Sequence, residues 1–439
     1  MTAATTQRAV PKPGPQPEIH LAVPRAGMGH VGMGFRQFVA MVAAMMAVNG
    51  LAIDGMLPAL PAIGKALHIA TDNERQWIIT AYMMGFGTSQ LAYGTLADRF
   101  GRRPVLLTGL ILYVLFSFMA ALSTSFEMML AARALQGVGA AGSRVLAVSI
   151  VRDCYSGRRM ARVMSLSFIV FLAVPIIAPS FGQIIMLFLP WRFIFVGFAT
   201  FAVGVIAWIW FKLPETMHPE DRTPISFAGT VKSFRIILTN RISIGYTLAM
   251  TVLLGGLFGF INSAQQVFFD VFHAQKLFTS LFAMIALSIA AASLTNARLV
   301  ERFGTRILSH TALVLYVTCA TIHAVVAFSG GESLAVFAPF LAFQFFCFGL
   351  VVSNFGAIAM DPLGHMAGTA SSVQGFLTTI GGALCGFWIG QHFDGTVIPL
   401  TLGFAGFGIG GFLIVLIVEK GRLFRPTEAG EASVAEFSH

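Results

Sequence analysis

The chain has 439 residues, of which 56% are hydrophobic and only 11% are charged. Soluble domains typically carry about 25% charged residues, so this composition excludes an ordinary soluble protein and indicates that lipid is the solvent. The net charge of +9 does not indicate a nucleic-acid-binding face, because the basic residues lie between apolar runs, as topology signals do. The four cysteines are far apart in the sequence and predict neither a disulfide framework nor a metal site.

Apolar runs of about 20 residues predict twelve membrane-spanning helices, and hence an all-α membrane protein. Residues 1–35 precede the first run, are polar and rich in Pro and Gly, and are expected to form a disordered cytoplasmic tail. The predicted spans then follow at residues 36–57, 75–96, 104–123, 127–150, 161–188, 192–213, 241–268, 278–298, 306–328, 334–360, 367–391 and 397–419.

The longest polar interruption between spans, residues 214–240, divides the chain into two parts. We therefore predict a six-helix bundle over 36–213, a cytoplasmic linker over 214–240, a second six-helix bundle over 241–419 and a cytoplasmic tail over 420–439. Most of the 28 Lys and Arg residues fall in the tails, the linker and the loops on one side, which places both termini in the cytoplasm. The expected location is the inner (plasma) membrane, as a multi-pass protein.

An internal repeat relates the two predicted bundles. The segment LADRFGRRPVL at residues 96–106 returns as LVERFGTRILS at residues 299–309, each time after the second span of its half. Two such halves, related by pseudo-symmetry, place a substrate site between them near the middle of the membrane.

Asp54 is the acidic residue that we place well inside an apolar span. A carboxylate in hydrocarbon costs several kcal/mol, so such groups are usually functional or paired. Asp54 follows Arg36 by 18 residues, which puts it about 27 Å further out along the first helix. Arg133 on the fourth span lies at a comparable depth, so we expect the two to meet and to couple to protons. The alternative is a carboxylate at the membrane rim that water reaches from outside.

The loop after the second span contains a predicted charge cluster. Gly94 and Gly101 suit close approach and a tight turn, and Asp98 is placed to pair with Arg102, whose planar guanidinium matches carboxylates. Asp153, at the inner end of the fourth span, is a third candidate member. We interpret the cluster as a cytoplasmic latch that stabilises an outward-open form and breaks when the halves rock. The alternative is a turn and topology signal with solvated charges.

The fourth span carries a second arginine, Arg144, eleven residues after Arg133, so the two are expected to share a face towards a polar cavity. Arg144 is interpreted either as a structural partner of a backbone carbonyl or as an anion-attracting group in the substrate path. The polar and aromatic residues that we expect to line the substrate cavity are Asn49, Tyr82, Gln90, Gln136, Arg144, Asn262, Gln265, Gln266, Gln344 and Asn354.

Over its membrane region the sequence resembles the major facilitator superfamily, and most closely the twelve-helix drug–proton antiporters of the bicyclomycin/chloramphenicol-resistance type. The motifs that carry the resemblance are AIDGMLPALP at 52–61, GTLADRFGRR at 94–103, RALQGVGAA at 133–141 and APSFGQ at 178–183. The resemblance implies the fold of that superfamily, transport by alternating access and a role of Arg133 in proton coupling.

The resemblance also implies that a helix-5 antiporter motif with Pro175, Pro179 and Gly182 seals the exchanger against leak; a kink needed only for packing is the alternative. The motif is altered, because Ala178 and Gln183 replace two glycines. Some members of the group carry a second acid where this chain has Met46, which favours a mechanism with a single carboxylate.

The predicted function is proton-coupled efflux of small, lipophilic, drug-like molecules, with protons, a small-molecule substrate and the lipid bilayer as partners and a monomer as the expected state. The alternative in the same class is a proton-coupled importer or exporter of one metabolite. A membrane-embedded enzyme is disfavoured because the scattered histidines form no catalytic or cofactor-binding pattern, and no Walker-type loop for ATP occurs in the sequence. No cofactor is predicted.

Overall fold

The computed structural model describes residues 32–155, 157–218, 220, 222 and 234–424. Most of the two predicted tails and residues 223–233 of the predicted linker lie outside these described residues.

The long elements of the described chain are twelve α-helices of at least 20 residues. They are α1 (Phe35–Asp54), α2 (Trp77–Phe100), α3 (Arg102–Ala121), α4 (Phe126–Cys154), α5 (Gly157–Phe188), α6 (Arg192–Lys212), α7 (Arg241–Gln266), α8 (Phe278–Phe303), α9 (Thr305–Phe328), α10 (Leu334–Met360), α11 (Ala367–Gln391) and α12 (Ile398–Val418).

The predicted all-helical membrane fold is confirmed. Within the described residues, ten helices are long and apolar enough to cross a membrane by length and composition, and no strand is present there. The helices α2 and α5 are not among the ten. Helix α2 is less hydrophobic than the ten, because it contains many Gly, Thr, Ser and Gln residues and carries charges at its end. The count of twelve spans and the cytoplasmic placement of the termini therefore stay predictions.

The two copies of the repeated loop adopt the same backbone geometry. Gly101 separates α2 from α3 with φ +100°, and Gly304 separates α8 from α9 with φ +78°. A residue with a Cβ is strained at such φ values, so the repeat conserves a glycine where the turn between two helices requires one.

Close packing of α2 on α4 depends on small residues. A Cβ on Gly85 would lie 1.9 Å from the Ala134 carbonyl oxygen, and one on Gly137 would lie 2.1 Å from that of Tyr82. Glycines at such contacts let helix backbones approach without an intervening side chain, as is common in membrane proteins.

Helices α1–α6 pack mainly among themselves, as do α7–α12, and the two groups meet where α2 contacts α11 and where α5 contacts α8. This arrangement agrees with two six-helix bundles. The exact domain boundaries 36–213, 214–240 and 241–419 stay predictions.

One end of the interface between the two groups is closed by amide side chains, which we call the closed-end network. Gln76, just before α2, donates to Gln266 at 2.7 Å and to the Gly390 carbonyl at 2.9 Å. Asn73 donates to the Gln391 carbonyl at 3.1 Å and accepts from Gln266 at 2.7 Å. These contacts join the first half of the chain to the second.

Candidate functional site

At the other end of the interface, the two groups of helices enclose a cavity of about 810 Å³. The helix α2 begins next to the closed-end network, at Trp77, and its residues between Gln90 and Asp98 form part of the cavity wall. Most of the remaining wall comes from residues 144–152 of α4 and from parts of α7 and α11, and Arg102, Phe234 and Val352 complete it. The cavity thus lies between the halves and at the end that carries the repeated loops.

Arg144 and Gln90 are the predicted cavity residues that line this cavity. Arg144 lies in the middle of α4, yet its side chain is exposed, so the cavity is where solvent reaches it. Gln90 donates to Thr379 of α11 at 3.1 Å across the interface. Arg144 makes no hydrogen bond or ion pair with any described residue. The interpretation of Arg144 as a structural partner of a backbone carbonyl is therefore not supported in the described chain.

Arg133 does not share this exposure, which corrects the prediction that both arginines face a polar cavity. Its side chain is fully buried, with Nε donating to the Ile78 carbonyl at 3.2 Å and Nη2 to the Ala52 carbonyl at 3.1 Å. The guanidinium also donates to Gln136 and lies 4.4 Å from the centre of the Tyr82 ring. Three turns separate the arginines, and at the level of Arg133 the helices α1, α2 and α6 contact its side chain.

A network of neutral polar groups continues from Arg133. Gln136 donates to Ser117 of α3 at 2.6 Å. Tyr82 of α2 donates to Asn49 of α1 at 3.0 Å, and Asn49 donates to Ser143 of α4 at 3.1 Å. These bonds satisfy buried polar groups and fix four helices relative to one another, so Asn49, Tyr82 and Gln136 lie inside the first half rather than at the cavity.

Asp54 is the last residue of α1 and is 5% exposed, so the alternative of a carboxylate wetted at the membrane rim does not fit. The expected direct pair with Arg133 is also absent, because no ion pair within 4.0 Å joins Asp54 to a cation of the described chain. Arg133 instead anchors α1 through the carbonyl of Ala52, two residues earlier. Among the described residues, no hydrogen bond or ion pair offsets the cost of a buried negative charge at Asp54.

The helix-5 motif lies directly against the end of α1. Pro175 and Pro179 are inside α5, and a Cβ on Gly182 would lie 1.9 Å from the carbonyl oxygen of Gly55, the residue after Asp54. Gln183, which replaces a motif glycine, accepts a hydrogen bond from Thr279 of α8 in the other half. The motif therefore brings together the end of α1 and one contact between the halves.

The loop cluster forms as the sequence predicts. Arg102 is 4% exposed and contacts Asp98 at 2.6 Å and Asp153 at 3.0 Å. Glu215, a residue that the sequence reasoning missed, accepts from the backbone N–H groups of Arg102 at 2.9 Å and Arg103 at 3.2 Å. It follows the sixth helix, as Glu419 follows the twelfth, and Glu419 contacts Arg306 of the second loop at 3.3 Å. The two glutamates are 204 residues apart and the loop repeat 203, so the repeat does not align them residue by residue.

One part of the latch prediction does not match this conformation. The cluster is expected to break when the halves rock, yet it is intact beside a cavity that separates the halves at this end. The reason is that Asp98, Arg102 and Asp153 belong to the first half and Glu215 follows directly after it, so no member of the cluster comes from the second half. Gly94 does face the second half, with Ser372 Oγ 3.5 Å from the position of a Cβ.

The other predicted cavity residues of the second half lie away from this cavity. All are buried; Gln266 belongs to the closed-end network, Gln344 bonds His323 at 2.8 Å, and Asn354 donates to Asn296 at 2.6 Å. Asn262 and Gln265 are buried in α7 before the closed-end network. Asn73, Gln76 and Gln391 were missed, because amides at the ends of helices carry no sequence signal of their own.

A family model of the Major Facilitator Superfamily matches residues 42–386. The chain is 31% identical over 374 residues to an uncharacterized MFS-type transporter, YdgK, of Bacillus subtilis (strain 168), which covers 83% of this chain and 91% of the relative. It is 28% identical over 364 residues to a bicyclomycin resistance protein homolog of Haemophilus influenzae, covering 80% and 88%. It is 30% identical over 362 residues to the multidrug resistance protein MdtL of Shewanella oneidensis, covering 80% and 87%.

Among solved structures, the human organic anion transporter MFSD10 (TETRAN) superposes with a TM-score of 0.66 at 20% identity, covering 87% of this chain and 100% of that one. This likeness concerns the fold. The chain belongs to the major facilitator superfamily, and it is a membrane-embedded transporter with several spans. The predicted resemblance to this superfamily, with relatives named for bicyclomycin and multidrug resistance, is confirmed.

Proposed function

We propose that this transporter exports small drug-like molecules in exchange for protons, by alternating access to the cavity between its halves. The relatives named for bicyclomycin and multidrug resistance support export. A cavity of a size that suits drug-like ligands supports the substrate class. Alternating access is supported by an interface that is bonded at one end and separated at the other.

We propose that the molecule is a monomer in the plasma membrane with both termini in the cytoplasm. Each chain carries its own cavity, and the distribution of Lys and Arg supports this orientation. The cavity then faces the cytoplasm, and the closed-end network seals the outside. Substrate would enter from the cytoplasm in this conformation.

Asp54 is the proposed proton carrier, and its burial without a cation is the observation that carries the proposal. In this conformation the cost of a buried charge favours the neutral acid. When the halves rock outward, water or Arg133 would reach the carboxyl and change its affinity for the proton. Because α1 ends at Asp54 and α5 packs on the next residue, a change of charge there acts on the helices that must move.

The energetics of one proton are adequate for such export. A proton that moves down a potential of 100 mV contributes about 2.3 kcal/mol, and about 1.4 kcal/mol corresponds to a factor of ten. One tightly coupled proton therefore supports a substrate gradient of roughly fortyfold from voltage alone.

Dye accumulation in whole cells tests this function. Cells that overexpress the transporter in an efflux-deficient host should retain less fluorescent dye than cells with an empty vector, and an uncoupler should abolish the difference because it removes the proton gradient. A panel of anionic, neutral and cationic dyes is required. A difference that survives the uncoupler, or faster uptake in the expressing cells, would contradict proton-driven export.

A further inference from the structure

We propose that the cavity takes amphiphilic molecules that carry an anionic group, such as a carboxylate, phosphonate or sulfonate, and that Arg144 binds this group. The inference rests on the proposed function in one respect, since it takes the cavity between the halves as the substrate site.

The first observation is the unused guanidinium of Arg144. It lies in the middle of a membrane helix, is exposed to the cavity and has no hydrogen-bond or ion-pair partner among the described residues. A guanidinium offers five N–H donors in a planar fork that matches carboxylate and phosphate oxygens. Arg133, on the same helix, has its donors occupied by two carbonyls and Gln136. Arg144 and Arg152 are therefore the arginines of this helix with donors to offer a ligand, and Arg144 is the deeper of the two, since Arg152 lies next to the end of α4.

The second observation is the charge balance of the wall. The charged residues that line the cavity are Arg102, Arg144, Arg152 and Asp98. Asp98 is already bonded to Arg102 at 2.6 Å. A cationic ligand would find no unpaired carboxylate in this wall, whereas an anionic ligand would find Arg144 and, nearer the mouth, Arg152. Coulombic attraction is strengthened where protein and lipid replace water around the charges.

The third observation is an unpaired donor on the opposite wall. The side-chain nitrogen of Gln374 in α11 is buried and has no hydrogen-bond partner in the described chain. Such orphan donors are uncommon in folded proteins, and because Gln374 itself lines the cavity, a rotation of its side-chain amide would turn this nitrogen towards a ligand acceptor. Gln374 belongs to the second half and Arg144 to the first, so one ligand that meets both would bridge the halves.

The remaining wall explains why the ligand must also be partly apolar. Met250, Leu254, Leu91, Val145 and Val352 supply hydrophobic surface. A cavity of about 810 Å³ with a few placed polar groups fits an organic anion of drug size better than a small inorganic ion.

Equilibrium binding to the purified transporter in detergent tests the proposal. The probes are two dyes with the same xanthene scaffold, anionic fluorescein and the cationic ester rhodamine 6G, followed by fluorescence anisotropy. The variants are Arg144→Gln, Arg144→Lys and, as a control at the cavity mouth, Arg152→Gln. Melting temperatures establish that each variant is folded.

Wild type should bind fluorescein more tightly than rhodamine 6G. Arg144→Gln should weaken fluorescein binding by about tenfold to a hundredfold, since it removes a charge-assisted hydrogen bond, and should leave rhodamine 6G unaffected. Arg144→Lys should keep part of the affinity. Arg152→Gln should lose less, because Arg152 lies about two turns further along α4, next to the helix end, where bulk water screens its charge more strongly.

Unchanged fluorescein binding in Arg144→Gln, or equal losses for both dyes, would overturn the proposal. No gradient is present in this experiment, so a failure of proton exchange leaves its outcome unaffected. Conversely, an uncoupler-sensitive efflux of cationic dyes alone would leave the proposed function standing and refute the anionic substrate class.

Discussion

Arg133 and Arg144 lie on one helix and have opposite surroundings. Arg133 is fully buried with three hydrogen-bond acceptors and the Tyr82 ring around it, which is how a membrane protein tolerates a guanidinium in its interior. Arg144 has none of these partners and is exposed to a cavity. The first therefore holds helices together, whereas the second is available to a ligand.

We expect the stability of the protein to depend on pH through Glu332. It lies in the loop between α9 and α10, beside His323 at 3.0 Å and with Gln344 on the far side of that imidazole. Burial raises the pKa of Glu332 from its ordinary value of 4.5 to about 7. The folded protein therefore binds this proton more tightly than the unfolded chain does.

The stabilising contribution of the Glu332 proton is fully present below pH 4.5 and is lost as pH rises through about 7. We expect the melting temperature in detergent to fall by a few degrees between pH 5 and pH 8, and Glu332→Gln to reduce this fall because glutamine stays neutral. Scanning fluorimetry at several pH values measures it, with Glu301→Gln, an exposed residue of α8, as the control. An identical pH profile in Glu332→Gln and wild type would refute the assignment.

At the scale of helices, the contact of α5 with the end of α1 depends on Gly182. We expect Gly182→Ala to destabilise the protein by about 1–3 kcal/mol and to impair transport, because the new methyl group would overlap the Gly55 carbonyl. Melting temperature and dye efflux measure the two effects. Gly204→Ala is the matched control, since a Cβ at Gly204 of α6 meets nothing within 4 Å. Equal behaviour of the two variants would show that the close contact is not required.

The helices themselves were largely predictable from the sequence. The predicted spans 192–213, 241–268 and 334–360 differ by at most two residues at either end from α6, α7 and α10, because long apolar runs with polar ends leave little choice. The short helix Leu60–Ala66 was not predicted, since it continues the apolar run of the first span. The shared turn at Gly101 and Gly304 was anticipated by the repeat.

The candidate site was less predictable than the helices. The cluster of Arg102 with Asp98 and Asp153 follows from charge and spacing. The predicted pair of Asp54 and Arg133 does not form in this conformation, because Arg133 donates to backbone carbonyls instead. The depth of a residue along its helix does not determine the direction of its side chain. Buried glutamines such as Gln266 and Gln344 were assigned to the substrate cavity, yet they bond to other amides or to histidine. Sequence composition cannot separate a polar group that meets a ligand from one that is already satisfied.

At the scale of the whole molecule, the two halves contact each other through neutral groups at the closed end. Gln76, Gln266 and Asn73 exchange hydrogen bonds there, and Trp77 packs on Phe387 with ring centres 4.2 Å apart. Individual hydrogen bonds of this kind contribute about 1 kcal/mol each, so the closed form is stabilised without being locked. Such a balance suits a transporter whose halves must separate at this end in every cycle.

The central claim is that Asp54 carries the exchanged proton, and transport by purified protein in liposomes with an imposed pH gradient tests it most directly. Wild type should accumulate dye only with the gradient. Asp54→Asn should stay folded, lose this gradient-driven accumulation and still exchange dye in counterflow, whereas Asp394→Asn, an exposed loop residue, should behave as wild type. Gradient-driven accumulation by Asp54→Asn at the wild-type rate would contradict the account.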